Sequence, residues 1–265
     1  MTSFYESTAI ITGGGSGIGE AIARRLSDSG AIVVICDVDG GQATNVAREI
    51  EAAGGRAFAF TCDVSDEESV ITAVKWVTET IGTANVVVNA AGIGIESSLV
   101  DTSFAQFTKT VGVNLVGTFL VCREAARAMI NAGIAGRILN ISSAQAGLGM
   151  PLASSYAASK AGVDGLTRAI AIELAPLGIR ANALRPGPTW TNMTAVAWSE
   201  EDTAQKVSAR VPLSRIANPI EIANAALFLL SDESSYCTGI TLDVDGGYRA
   251  DGRVDVTPSK GRDYQ

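Results

Sequence analysis

Tyr156-Ala157-Ala158-Ser159-Lys160 places a phenol and an ammonium at i and i+4, on one face of a helix. A phenol is a poor base at neutral pH, but a fixed cation beside it favours phenolate and pulls its pKa toward the working range. Ser142-Ser143 closes an apolar run shortly before this helix, at the carboxyl edge where open α/β sheets bind ligands. Three hydrogen-bonding groups are therefore expected to converge. They matter the more because the chain has no histidine, which removes the commonest general base and the commonest metal ligand together. No metal site is expected.

A second kind of chemistry lies near the start. Thr12-Gly13-Gly14-Gly15-Ser16-Gly17-Ile18-Gly19 runs from a short apolar strand straight into a helix, the setting of a dinucleotide fingerprint. Gly13 permits the tight turn, Gly17 lets the backbone approach a pyrophosphate at the positive helix end, and Gly19 lets the helix pack on the sheet. Asp37 ends the next strand at about the spacing at which an acid meets the adenosine ribose. A carboxylate there accepts from two hydroxyls and repels a 2′-phosphate. Because Gly14, Gly15, Ser16, Val38 and Asp39 include no Lys or Arg, NAD is expected over NADP.

The elements that must position these groups alternate along the chain. Short runs at 9–12, 31–36, 56–62, 85–89, 136–141, 179–184 and 240–244 are apolar at consecutive positions, and longer stretches of helical period separate them. Consecutive apolar residues suit strands buried on both faces, so the expected fold is α/β: a doubly wound, seven-stranded parallel sheet with helices on both faces. It spans 1–247 as a single domain, with a tail over 248–265 that loses apolar periodicity.

Composition narrows the function classes. With 47% hydrophobic and 18% charged residues in 265, the chain is globular rather than disordered. Twenty basic against 28 acidic residues give a net charge of −8, which disfavours nucleic acid and anionic membrane surfaces as partners. Cys36, Cys62, Cys122 and Cys237 show neither zinc-site pairs nor the density of a disulfide scaffold. They read as buried thiols in a reducing cytoplasm. No signal peptide or membrane span is expected.

Taken in order, the motifs resemble those of the short-chain dehydrogenase/reductase family, in its single-domain branch. They are Thr12 to Gly19, Asp63-Val64, Asn89-Ala90-Ala91-Gly92, Asn114 within Val113-Asn114-Leu115, Ser143, Tyr156 with Lys160, and Pro186-Gly187. The resemblance runs from Thr8 to Gly247 and implies a Rossmann-like fold and hydride transfer between an alcohol or ketone and a nicotinamide cofactor.

On that resemblance, Tyr156 is the acid/base for the substrate oxygen and Ser143 polarises and orients that oxygen. Lys160 binds the nicotinamide ribose and lowers the phenol pKa, and Asn114 holds a water linking Lys160 to solvent. The glycine loop (Gly13, Ser16, Gly17, Ile18, Gly19) and Asp37 hold the dinucleotide, Asp63 and Val64 flank adenine, and Asn89, Ala90 and Gly92 form the turn beside the riboses. Asn89 has a second reading as a structural turn residue. Pro186, Gly187, Thr189 and Thr191 close on the nicotinamide carboxamide.

The resemblance also implies a mobile lid over about 190–212, with Met193, Val196 and Trp198. Trp190 and Trp198 are read as walls of a substrate pocket whose other wall is Gln145, Gly147, Met150 and Leu152. Such a pocket suits a mainly apolar secondary alcohol, although subunit-interface core is an equal reading of the aromatics. Two alternatives stay open: an NADP-dependent 3-oxoacyl carrier-protein reductase and a non-catalytic NAD-binding regulator. The resemblance further implies a homotetramer with a homodimer as fallback. One contact would use the helices after Ser103 and Ser155, with Phe119, Val121, Ala161, Val163 and Leu166; the other would use 219–230 and 236–244.

Overall fold

In the computed structural model, which describes residues 4–195, 198–199 and 201–252, the apolar runs form the strands β1 Thr8–Thr12, β2 Ile32–Asp37, β3 Arg56–Thr61, β4 Val86–Asn89, β5 Gly136–Ile141, β6 Ile179–Pro186 and β7 Thr241–Val244. Every pairing is parallel, in the order β3-β2-β1-β4-β5-β6-β7. The order reverses direction beside β1. There the chain leaves β1 toward one edge and returns at β4 toward the other, opening a crevice at the carboxyl ends.

Why these strands are continuous apolar runs follows from the layers. On one face α1 (Gly17–Asp28), α2 (Gly40–Ala52) and α9 (Pro219–Leu230) cover Ile11, Ile35, Val88 and Leu184. On the other, α3 (Glu67–Thr80), α5 (Gly117–Ala132) and α6 (Ser154–Leu174) cover Ile10, Val34, Val87 and Ile138. Each central strand thus buries both sets of side chains. The edge strand β3 alternates more, with Arg56, Phe58 and Thr61 exposed.

The helix after Ser103 begins with a capping box, Ser103 Oγ accepting from Gln106 N and Gln106 Oε1 from Ser103 N. It does not run on as one regular helix. Between α4 (Phe104–Val111) and α5 lies a π-helical turn, Gly112–Val116, and Asn114 sits fully buried within it. Two short helices, α7 (Asn192–Ala195) and α8 (Glu201–Ala209), follow β6 in the segment expected to form a lid. Val196, Glu200 and the expected tail beyond Gly252 lie outside the described residues.

The expected surface residues divide. Phe119 is 42% exposed, and Ala161 is exposed, but Val121 and Val163 are core residues of the monomer. In α9 the run Ala225 to Leu230 is also mostly core, since Ala226, Leu227, Leu229 and Leu230 are buried against α1, β5 and β6 and only Phe228 emerges. The run is that apolar because this helix is wedged between α1 and the sheet.

Candidate active site

A cleft of about 1040 Å³ crosses the carboxyl ends of the strands and is lined by nearly every residue expected to do chemistry. At its first end, Gly13 and Gly17 adopt φ of 64° and 59°, left-handed values that favour glycine. A Cβ on Gly13 would lie 2.6 Å from Ala91 N, and one on Gly19 would collide with the carbonyl oxygen of Gly13. The main chain can pack this closely only without side chains, which leaves the first turn of α1 open to the cleft. Asp37 is fixed at the end of β2: Oδ2 accepts from Gly15 N at 3.0 Å and Oδ1 from Asp39 N at 3.0 Å. Asp63 and Val64 follow on the same wall, with Asp63 Oδ1 tied to Ser65 N and Oγ.

Asn89 departs from the expected set. It is buried, and its Nδ2 donates to Asn140 Oδ1 at 2.8 Å and to Cys122 Sγ at 3.3 Å. Asn140 in turn donates to Thr167 Oγ1 at 2.9 Å. The structural reading of Asn89 is therefore the one its contacts support: its side chain ties β4 to β5 and α6, away from the cleft. Ala90 and Gly92, its neighbours, do line the cleft. Gly92 leaves room at the point where a Cβ would stand 3.4 Å from both Asn114 Oδ1 and Lys160 Nζ.

The catalytic candidates converge. Ser143, just beyond the end of β5, lines the cleft together with Tyr156, and its Oγ accepts from Gln145 N at 3.2 Å. Lys160 Nζ lies 5.8 Å from the Tyr156 ring centroid and donates to the Ile141 carbonyl at 2.7 Å. Asn114 accepts from Ile93 N at 2.8 Å and donates to Ile93 O and to Ser159 Oγ, at 2.9 and 3.0 Å. These bonds pin the chain beside Gly92 to the π turn.

The electrostatics differ from the expectation of a depressed phenol. Burial holds the Tyr156 phenol above its ordinary pKa, with the nearby Ser143 hydroxyl opposing that only in part. Burial also lowers Lys160 to about 8, against the pull of the Asp164 carboxylate one turn along. The ammonium lies over the ring and bonds a backbone carbonyl rather than the phenol oxygen. In this state the Tyr156 phenol keeps its proton at neutral pH.

Pro186, Gly187, Thr189 and Thr191 line the cleft opposite the glycine loop. Thr191 Cβ would lie 3.3 Å from a Cβ on Gly17, so this loop closes directly over the first turn of α1. Thr194 Oγ1 holds it by donating to Thr189 O at 2.9 Å and accepting from Thr191 N at 3.0 Å. Of the two tryptophans, Trp198 lines the cleft, whereas Trp190 backs it in edge-to-face contact with centroids 5.8 Å apart. Gln145 and Met150 form the facing wall, and Gln145 Nε2 approaches Met150 Sδ at 2.8 Å. Sequence reasoning missed Tyr248 and Val207, which also line the cleft.

A nicotinamide dinucleotide fits this donor set: a glycine cradle that any Cβ would fill, a carboxylate where two ribose hydroxyls would come, and an ammonium beside a phenol at the other end. Comparison with known proteins agrees. The family model described as enoyl-(acyl carrier protein) reductase matches residues 13–249. This chain belongs to the short-chain dehydrogenase/reductase family. It is 41% identical over 249 residues to a cis-4-hydroxycyclohexanecarboxylate dehydrogenase from Sinomonas cyclohexanicum, covering 94% of this chain and 98% of that one. It is 39% identical over 247 residues to a (3R)-3-hydroxyacyl-CoA dehydrogenase from Mus musculus, covering 90% and 95%. A solved gluconate 5-dehydrogenase from Burkholderia cenocepacia, in complex with NADP and tartrate, superposes with a TM-score of 0.90 at 34% identity, covering 94% and 97%. As a short-chain dehydrogenase/reductase the chain is a nicotinamide-dependent oxidoreductase.

Proposed function

We propose that this chain, with 1–247 as one catalytic unit, is an NAD-dependent dehydrogenase and ketone reductase that interconverts a neutral, mainly apolar secondary alcohol and its ketone, with Tyr156 as acid/base. The observation that carries the reading is the joining in one cleft of Ser143, Tyr156 and Lys160, the ammonium over the Tyr156 ring, with the Asp37 carboxylate at the far end. NAD, when bound, supplies the acceptor or donor of hydride. Ser143 and Tyr156 together hold the substrate oxygen. In reduction the phenol, kept protonated by burial, gives its proton to that oxygen; in oxidation the phenolate takes the alcohol's proton, and the Lys160 charge favours the phenolate as it forms.

The NAD preference rests on charge. Asp37 stands at the ribose end, and the only cations among the described cleft-lining residues are Lys109 and Lys160, so a 2′-phosphate meets a carboxylate without a partner for its charge. The same scarcity supports a neutral substrate. Gln145 Oε1 is buried with no hydrogen-bond partner among the described residues, which suits one additional polar group on that substrate. A carrier-protein reductase is the second reading, from the family model's description, and needs more cationic character at the cleft than these two lysines supply. A panel of alcohols and ketones with NAD and NADP, read by absorbance of reduced nicotinamide, tests the proposal; equal or higher efficiency with NADP overturns the cofactor reading.

The exposed Phe119 and the half-exposed Ile220, Phe228 and Ile240, with Tyr236 wholly in solvent, support assembly as a homotetramer, or a homodimer through one of these faces. A monomer in light scattering at micromolar concentration overturns both. Among the described residues no helix is long and apolar enough to cross a membrane, and the four cysteines are free. Both facts favour a cytoplasmic enzyme.

A further inference from the structure

The expected tail begins too early. Residues 245–249 form a tight turn at the end of β7 rather than a solvated extension. Asp245 Oδ1 accepts from Gly247 N and Oδ2 from Arg249 N, each at 2.9 Å, while Asp245 O accepts from Tyr248 N at 3.1 Å. Gly246 and Gly247 take φ of 63° and 88° to make the turn.

This turn touches three separate parts of the site. A Cβ on Gly187, in the loop after β6, would lie 2.6 Å from Asp245 Cα. At the end of the lid, Leu213 N donates to Gly246 O at 3.2 Å, and Pro212 Cγ would lie 2.9 Å from a Cβ on Gly247. On the catalytic-serine side the Arg249 guanidinium lies where a Gly147 side chain would stand. Arg249 Nη1 is held by both oxygens of Asp243, at 2.7 and 2.5 Å. Its Nε is buried with no hydrogen-bond partner among the described residues.

Tyr248 sits between these anchors. The Arg210 guanidinium carbon lies 5.2 Å from its ring centroid, a cation–π contact that fixes the ring, and the ring lines the cleft with Val207 and Trp198. We propose that the turn 245–249 is the back wall of the substrate pocket, with Tyr248 as a specificity-determining residue that sets how bulky a ketone the cleft admits. The inference rests on the reading of this cleft as a ketone site. Arg249 acts as a positioning residue: stacked on Gly147, it holds the loop that carries Ser143 and Gln145 against that wall.

The test uses the full chain loaded with NADH and two neutral ketones, cyclohexanone and the bulkier 1-indanone. Ketone binding is read from nicotinamide fluorescence, which needs no turnover, and kcat/KM from absorbance. Tyr248→Ala removes the ring and is expected to raise the 1-indanone/cyclohexanone affinity ratio by about tenfold, the scale of one buried aromatic contact. Tyr248→Trp adds volume and lowers the same ratio, so the proposal survives a failure of the alanine variant to fold. Arg249→Ala is expected to lower kcat more than it changes NADH affinity. An unchanged ketone ratio in every folded Tyr248 variant overturns the proposal. Absence of wild-type turnover with both ketones still bound overturns the proposed function and leaves Tyr248 to be judged by the binding ratio; failure of wild type to bind either ketone overturns the pocket assignment itself.

Discussion

At one end of the cleft Gly13, Gly17 and Gly19 hold main chain against main chain, with Asp37 as the single charged side chain that two backbone N–H groups aim. At the other end Ser143, Gln145, Trp198, Val207 and Tyr248 come from three separate stretches of chain and meet only because the sheet, the segment after β6 and the final turn bring them together. The first end is specified by local sequence and has almost no freedom to change. The second is a set of side chains on a fixed frame, free to vary in size and polarity. Substitutions at the two ends should therefore fail differently, those at the glycine loop through cofactor binding and those at the substrate wall through selectivity.

The sharpest test lies where the ends meet. Tyr156→Phe keeps the ring over Lys160 but removes the proton, so turnover should fall by about a thousandfold or more while NADH affinity stays within a few-fold. Retained turnover would dissolve the assignment of Tyr156. Gly19→Ala is next: its methyl collides with the carbonyl of Gly13, and the resulting backbone shift should weaken NADH binding by about a hundredfold and lower Tm by several degrees. If titration calorimetry finds wild-type affinity, the loop is more pliant than its contacts indicate.

Asp37→Ala should relax the NAD/NADP preference by about tenfold, chiefly by weakening NAD, because a ribose acceptor and a repulsive charge are lost together. The smallest effect concerns pH. Lys160 is lowered to about 8 by burial, so its ammonium is present below that pH and is lost as pH rises through it. Ketone reduction also needs the protonated phenol, which burial preserves at these pH values. Reduction by the NADH-loaded protein should accordingly decline a few-fold between pH 7 and 9, and a flat profile would show that bound NADH restores the lysine to its ordinary range.

Much of the frame was legible in the sequence, because strands buried on both faces leave continuous apolar runs and because only glycine tolerates the contacts at Gly13 and Gly19. The convergence of Ser143, Tyr156 and Lys160 was legible for a related reason: Tyr156 and Lys160 share a helix face, and Ser143 follows a strand. What escaped depended on distant partners. Asn89 reads as a ligand-facing turn residue until Asn140 and Cys122 draw it inward. Trp190 and Trp198 look equivalent, yet one stands behind the other. Tyr248 and Arg249 look like tail because their partners, Arg210, Gly147 and Asp243, include two far back along the chain. The raised phenol pKa was also missed, since i,i+4 spacing reports that a cation is near but not how much water has been removed.

The π turn at Gly112–Val116 carries a consequence for how this helix tolerates insertion and deletion. A π turn contains one more residue than an α turn closes around, so α4 and α5 are out of phase by about 100° relative to one uninterrupted helix. That phase offset is what lets α5 keep Leu120, Val121 and Ala125 on the sheet while Asn114 turns to Ile93 and Ser159. Removing any one residue from 112–116 would let the helix heal into regular α geometry, and the molecule would then have to choose between rotating α4 off its neighbours and withdrawing the asparagine from beneath Gly92. A missing residue here acts as a rotation, and it would be felt at the cleft before it was felt in the core.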